Sequence, residues 1–234
     1  MNTFNPETFE TKFAIADIAT DLYMQGDGQF LIKDIAKKID ITPAEVFNYF
    51  PNKKSILEFY YASLIIRYEM MIDEIDDFDS YTLSEKLSNF AFTTFDMLQE
   101  KETFVEATLS YYILNSFTKT VFEKEIERLI KKFLENDDHI AISSTLVLNS
   151  YSYTFLRRQY LELLRFWLND SSENKELTME LTDKATAVFQ ELMYNPVLDK
   201  SFDLVKFVNA NRKAFLNNIP IVKQFCSKIE NDNL

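Results

Sequence analysis

Residues 31–57, LIKDIAKKIDITPAEVFNYFPNKKSIL, decide how the chain is read. Ile32, Ile35, Ala36 and Ile39 fall at i, i+3, i+4 and i+7, the apolar stripe of one short helix. Asp40-Ile41 leaves room only for a tight turn. A second helix start follows: Thr42 suits the N-cap, Pro43 the first helical position, and Glu45 stands three residues after Thr42. In such a capping box each side chain satisfies the other residue's orphan backbone N–H. Val46, Phe47 and Phe50 are expected on the buried side, with Ala44, Glu45, Asn48 and Tyr49 on or near the open side. Two short helices joined by so short a turn make a helix-turn-helix.

Ile32-Lys33-Asp34-Ile35-Ala36, Phe47-Asn48-Tyr49-Phe50 and Asn52-Lys53 follow one another in an order and spacing that resembles the DNA-binding segment of TetR/AcrR bacterial transcriptional regulators. The resemblance covers roughly the first quarter of the chain. It implies an all-α protein, with a three-helix N-terminal head over residues 1–52. A larger helical body, 53–234, would begin with a connecting helix and serve effector binding and dimerisation. It also implies a ligand-responsive repressor that binds a palindromic double-stranded DNA operator as a homodimer, two recognition helices about one DNA turn apart or a multiple of it. Some positions depart from the family pattern. Phe30-Leu31 stand where relatives often carry Thr or Ser, Pro43 where a small or basic residue is common, Glu45 where Thr is common, and Phe47 where Tyr is frequent.

On that frame the candidate DNA contacts are Lys33, Thr42, Ala44, Glu45, Asn48, Tyr49 and Lys53. Asn48 can pair bidentately with adenine, and Glu45 can either accept from a cytosine amino group or serve only as a cap. Thr42, Tyr49 and Lys53 suit phosphates, the last beside a helix start capped by Asn52.

Composition agrees with helices: glycine occurs twice and proline five times in 234 residues. Both glycines lie in QGDG, residues 25–28, a helix end. Pro51 ends the second short helix, because the residue before proline is pushed out of the helical region. The net charge of −12 opposes DNA binding, and residues 1–60 hold six lysines against nine acids. Any basic footprint must therefore come from local placement, with Lys33, Lys37, Lys38 and Lys53 clustering on one surface. A TetR-fold lipid- or isoprenoid-binding module without DNA binding is the alternative reading.

One cysteine, Cys226, and one histidine, His139, leave no disulfide or histidine cluster. No nucleophile motif, glycine-rich phosphate loop or metal-ligand spacing is present, so neither catalysis, a cofactor nor a metal is expected. The start MNTFNPETFE has no secretory pattern, and no uncharged apolar run reaches a membrane span. A soluble cytoplasmic protein without a membrane partner is expected.

Along the chain, helices are expected over 5–25, 53–75, 82–100, 103–117, 119–135, 138–169 and 173–194, then 201–217. Thr82/Glu85, Thr103/Glu106 and Thr120/Glu123 read as further capping boxes. The acidic stretch 73–79, DEIDDFD, reads as a solvated loop. The two long helices 138–169 and 173–194 are expected, by the resemblance, to build a four-helix dimer bundle. Aromatic residues stripe the body. Tyr111, Tyr112, Tyr151 and Phe155 are the candidates for a small hydrophobic effector, and the tyrosine hydroxyls need partners if buried. Arg157, Arg158 and Arg165 either pair with Glu162 across a helix turn or neutralise an acidic effector. The basic stretch 199–228 either packs amphipathically or meets an acidic partner.

Overall fold

The computed structural model describes residues 5–141, 144 and 148–195, and among them every regular element is a helix. In order they are α1 (Pro6–Gln25), α2 (Ile32–Lys38), α3 (Pro43–Tyr49), α4 (Lys53–Ile72), α5 (Leu83–Gln99), α6 (Glu102–Leu109), α7 (Val121–Glu135), α8 (Ser150–Asn169) and α9 (Glu176–Tyr194). Of the described residues, 5–138 with 148–190 form one compact unit, and 139–141, 144 and 191–195 belong to a second. In the second, the Ala141 N–H donates to the Met193 carbonyl at 2.9 Å, and the His139 ring lies 5.6 Å from that of Tyr194. The expected helix 201–217 and the basic stretch 199–228 lie outside the described residues.

Helix α4 is the axis of the first unit, packed by α1, α5 and α7. Its buried residues run all round it, from Ile56, Leu57 and Tyr60 through Tyr61, Leu64 and Ile65 to Tyr68. A helix apolar on every side belongs inside a protein. Helix α7 has one sharp apolar stripe, Phe122, Ile126, Leu129, Ile130 and Phe133, and packs between α4 and α8. Burying each such side chain stabilises by about 1.5–3 kcal/mol. Aromatic rings fill this core: Phe104 lies 5.3 Å from Tyr60 and 5.9 Å from Tyr61, and Phe90 stacks on Tyr160 at 4.8 Å. The buried tyrosine hydroxyls of this core find partners. Tyr61 meets Thr108 at 2.7 Å, Tyr68 donates to Asn89 at 2.9 Å, and Tyr160 meets Thr94 at 2.5 Å. Burial pushes all three phenols above their ordinary range.

Three helix starts are capped as expected, by Thr42/Glu45, Thr82/Glu85 and Thr120/Glu123. The fourth is not. Helix α6 begins at Glu102 with no side-chain cap, one residue ahead of Thr103. The preceding Lys101, a donor-only side chain that cannot cap a helix start, pairs with Asp17 at 3.1 Å and Asp21 at 2.5 Å on α1. The expected helix 138–169 is also wrong. Helix α8 starts at Ser150, where the Asn149 side chain accepts from the N–H groups of Tyr151 and Ser152. Residues 138–141 and 148–149 are not helical, so the expected helix does not run unbroken from 138. Residues 73–77 are exposed, as read, and lead into a 3-10 turn, Phe78–Ser80.

Candidate nucleic-acid interface

The site is built on α2, α3 and the first turn of α4. Helix α1 ends with Asp27 in the left-handed region (φ 48°), and the Gly28 N–H donates to the Tyr23 carbonyl at 2.8 Å. Gly26 has no room for a side chain, since a Cβ there would sit 2.1 Å from the Gln29 carbonyl oxygen. Helix α2 ends the same way: Asp40 takes φ 55°, and the Ile41 N–H reaches back to the Ala36 carbonyl at 3.0 Å. This closure satisfies orphan carbonyls and turns the chain sharply, with Asp tolerating a conformation glycine usually occupies. It delivers the chain at once to the α3 N-cap.

There the capping box closes in full. The Glu45 N–H donates to Thr42 Oγ1 at 3.2 Å, and the Thr42 N–H and hydroxyl both donate to Glu45 Oε2 at 2.7 Å. These bonds, the one from the Thr42 backbone first, hold the Glu45 carboxyl below its usual range. Of the two roles open to Glu45, the structure shows the cap. Val46 and Phe50 are buried beneath α3.

Phe47 is not buried: it is 53% exposed, against the expectation from its apolar character. Residues 44, 47 and 48 recur at i, i+3 and i+4, so helical geometry puts Ala44, Phe47 and Asn48 on one open face. Phe47 is the surface residue that hydrophobicity alone hides; the helical period measured from Val46 and Phe50 would have found it. Tyr49 is half-buried at the edge, and Thr42 and Lys33 are exposed. Lys37 and Lys38, in the last turn of α2, are exposed beside them.

Lys53 behaves differently from a free phosphate ligand. Its ammonium donates to the Phe30 carbonyl and lies 5.1 Å from the Phe30 ring centroid, tying α4 to the chain before α2. The α4 start is capped by Asn52, which accepts from the Ser55 N–H at 2.9 Å, while Ser55 returns a bond to the Asn52 N–H at 3.3 Å. Lys54 is exposed and pairs with Glu58 at 3.4 Å.

Helix α6 runs on into a π-helical turn, Ser110–Leu114, which carries Tyr111 and Tyr112 in edge contact at 4.9 Å. Tyr111 is 74% exposed. Tyr112 is half-buried and lines a cleft of about 500 Å³ with Tyr23, Phe30, Lys53 and Leu57. Tyr151 and Phe155, on α8, are 88% and 59% exposed. Among the described residues no group of three or more His, Cys, Asp or Glu is placed to hold a metal ion, and no helix is long and apolar enough to cross a membrane.

No curated protein matches the chain. Among solved structures it is similar to the TetR transcriptional regulator from Nitrosomonas europaea ATCC 19718, with TM-score 0.56 and 18% identity over 76% of this chain and 96% of that one. It is also similar to a putative TetR family transcription regulator from Shewanella sp. PV-4, with TM-score 0.46 and 17% identity over 79% and 98% of the two chains. Residues 86–208, just over half the chain, match the model of the tetracyclin repressor-like C-terminal domain. The chain belongs to the tetracyclin repressor-like, or TetR, family of transcriptional regulators.

Proposed function

We propose that this protein is a ligand-responsive repressor whose helix-turn-helix, residues 1–52, binds a palindromic operator as a homodimer, with residues 53–234 forming the effector-binding and dimerisation body. The observation that carries this reading is the open face of α3, where Ala44, Phe47 and Asn48 stand together above a helix fixed at its start by the Thr42–Glu45 box. Asn48 supplies the bidentate amide for adenine, and Phe47 an apolar surface for a thymine methyl. Lys33, Lys37, Lys38 and Lys54 supply the exposed cations for phosphates, with Thr42 and Tyr49 at the edges. Lys53 acts in this scheme by positioning the start of α4.

The dimer reading is supported by α8 and α9. Leu177, Leu181 and Val188 are 43–61% exposed, at spacings of four and seven residues, and Tyr151, Phe155 and Phe166 are exposed on α8. Apolar stripes on two successive helices need a covering surface, and a second copy would provide it in a four-helix bundle. Tyr151 and Phe155 then belong to this bundle, and Tyr112 remains as an effector candidate.

Fluorescence anisotropy with the intergenic DNA upstream of the gene, at two salt concentrations, tests the proposal. Saturable, competitor-resistant binding that weakens as salt rises is expected, with Asn48→Ala losing about 1–3 kcal/mol. Binding indifferent to Asn48→Ala and Phe47→Ala would exclude α3 as the reader. Absence of specific binding at low salt would favour a lipid- or isoprenoid-binding module. That reading draws on the net charge of −12 and on the intramolecular engagement of Lys53.

A further inference from the structure

Where the loop before α7 meets α8, the charge balance of the molecule inverts. A cleft of about 380 Å³ is lined by Lys119, Arg157, Arg158 and Arg165 together with Leu114, Phe117 and Leu161. The carboxylates at or beside it are Glu123, Glu127 and Glu162. Four cations against three acids stand out in a chain with 37 acids and 25 Lys and Arg.

The existing pairs do not use up these cations equally. Arg157 is buried, and its Nη1 donates to Glu123 Oε1 at 2.5 Å. Its buried Nε has no hydrogen bond, the Glu127 carboxylate being 3.5 Å away. Lys119 pairs with Glu127 at 2.7 Å. Arg165 faces Glu162 at 3.4 Å and reaches the Leu114 carbonyl at 3.3 Å, in a setting open enough for water to screen the pair. Arg158 is exposed, with no ion pair among the described residues. Beside these guanidinium groups stands Phe117, fully exposed in the loop.

We infer that this cleft binds a small organic anion, its carboxylate or phosphate head held by Arg158 and Arg165 and its apolar part laid against Phe117, Leu114 and Leu161. Planar guanidinium groups offer paired N–H donors matched to either head group, and the volume suits a ligand of this size. The buried Arg157–Glu123 pair fixes α8 to the α7 start, so the exposed arginines are presented from a rigid base. If the regulator reading holds, this anion is the effector; the binding itself does not depend on that reading.

Isothermal titration calorimetry on the full chain, without DNA, separates the two. The probes are benzoate, phenyl phosphate and inorganic phosphate at constant ionic strength in chloride, with benzyl alcohol as the neutral control. Saturable binding of an aryl anion is expected, absent for benzyl alcohol and weakened about tenfold or more in Arg158→Gln and in Arg165→Gln, the loss of one charge-assisted bond. The benzoate and phosphate arms tell which head group is preferred. Because both arginines lie at the surface, unchanged thermal unfolding of the variants establishes that the fold is intact. Heats equal to chloride for all three anions, or binding undiminished in both variants, would overturn the inference. Anion binding without effect on the DNA complex would leave this site standing and remove only its role as effector site.

Discussion

The same four-residue device begins α3 and α7, and the two copies sit in opposite surroundings. Thr42 and Glu45 are exposed, and Glu45 Oε2 serves only Thr42. Thr120 and Glu123 are buried, and Glu123 divides its carboxylate: Oε2 takes the Thr120 N–H at 2.7 Å and hydroxyl at 3.0 Å, while Oε1 takes Arg157 from α8. In the head the box sets a local helix start beside the open reading face. In the body it also anchors a guanidinium 34 residues away in sequence. A local motif thus becomes a tertiary joint only where burial removes water as the competing partner.

This contrast breaks first, and by the largest effect, at Glu123. Glu123→Ala leaves Arg157 buried without its main counter-charge and should cost about 3–5 kcal/mol in urea unfolding. A cost near that of an ordinary cap would show that the joint carries nothing beyond the box. Adding Arg157→Leu should recover part of the loss, a coupling that a double-mutant cycle would read out.

The caps themselves sharpen the comparison at a smaller scale. Thr120→Ala should cost about 1–2 kcal/mol, and Thr42→Ala about 0.5–1 kcal/mol, the two ends of the range for caps. Equal losses would mean that burial does not raise the stake. Thr42→Ala should nevertheless weaken DNA binding in the anisotropy assay, because it loosens the presentation of Ala44, Phe47 and Asn48.

Acid gives the smallest effect. The exposed boxes hold Glu45 and Glu85 below the usual carboxylate range through bonds from Thr42 and Thr82. Asp170 is held well below it too, first by the Ser172 hydroxyl at 2.6 Å and the Thr178 hydroxyl at 2.6 Å. A carboxyl with a depressed folded-state pKa stabilises above its unfolded value, about 4, and that contribution fades as pH falls through the folded value. The stability difference between the wild type and Thr42→Ala should therefore be full at neutral pH and shrink below about pH 4. Asp170→Asn should lose its deficit only at still lower pH. A deficit independent of pH would assign these residues a purely steric role.

What was legible in the sequence was whatever depends on a few adjacent residues. The α3 cap, the stop at Pro51, the α1 end at QGDG and the all-helical class follow from side chains acting on their own backbone, which no distant part of the chain needs to permit. The α8 start was equally local, in Asn149 and Ser152, but a continuous-looking stretch ahead of it hid the signal.

Other features needed the folded molecule. Lys101 stands at the α6 N-cap, where its donor-only ammonium cannot cap the helix, and it pairs with Asp17 and Asp21 of α1 instead. Lys53 turns inward to Phe30, and Phe47 turns outward although it is apolar. Arg157 takes its partner from α7 rather than from Glu162 of its own helix, which pairs with Arg165. By itself the sequence determined the helical class, the caps at Thr42, Thr82 and Thr120 and the helix-turn-helix, since those energies are local. Only the tertiary structure decided which charges meet and which rings face water, because burial and the competition with water exist only once distant segments have packed.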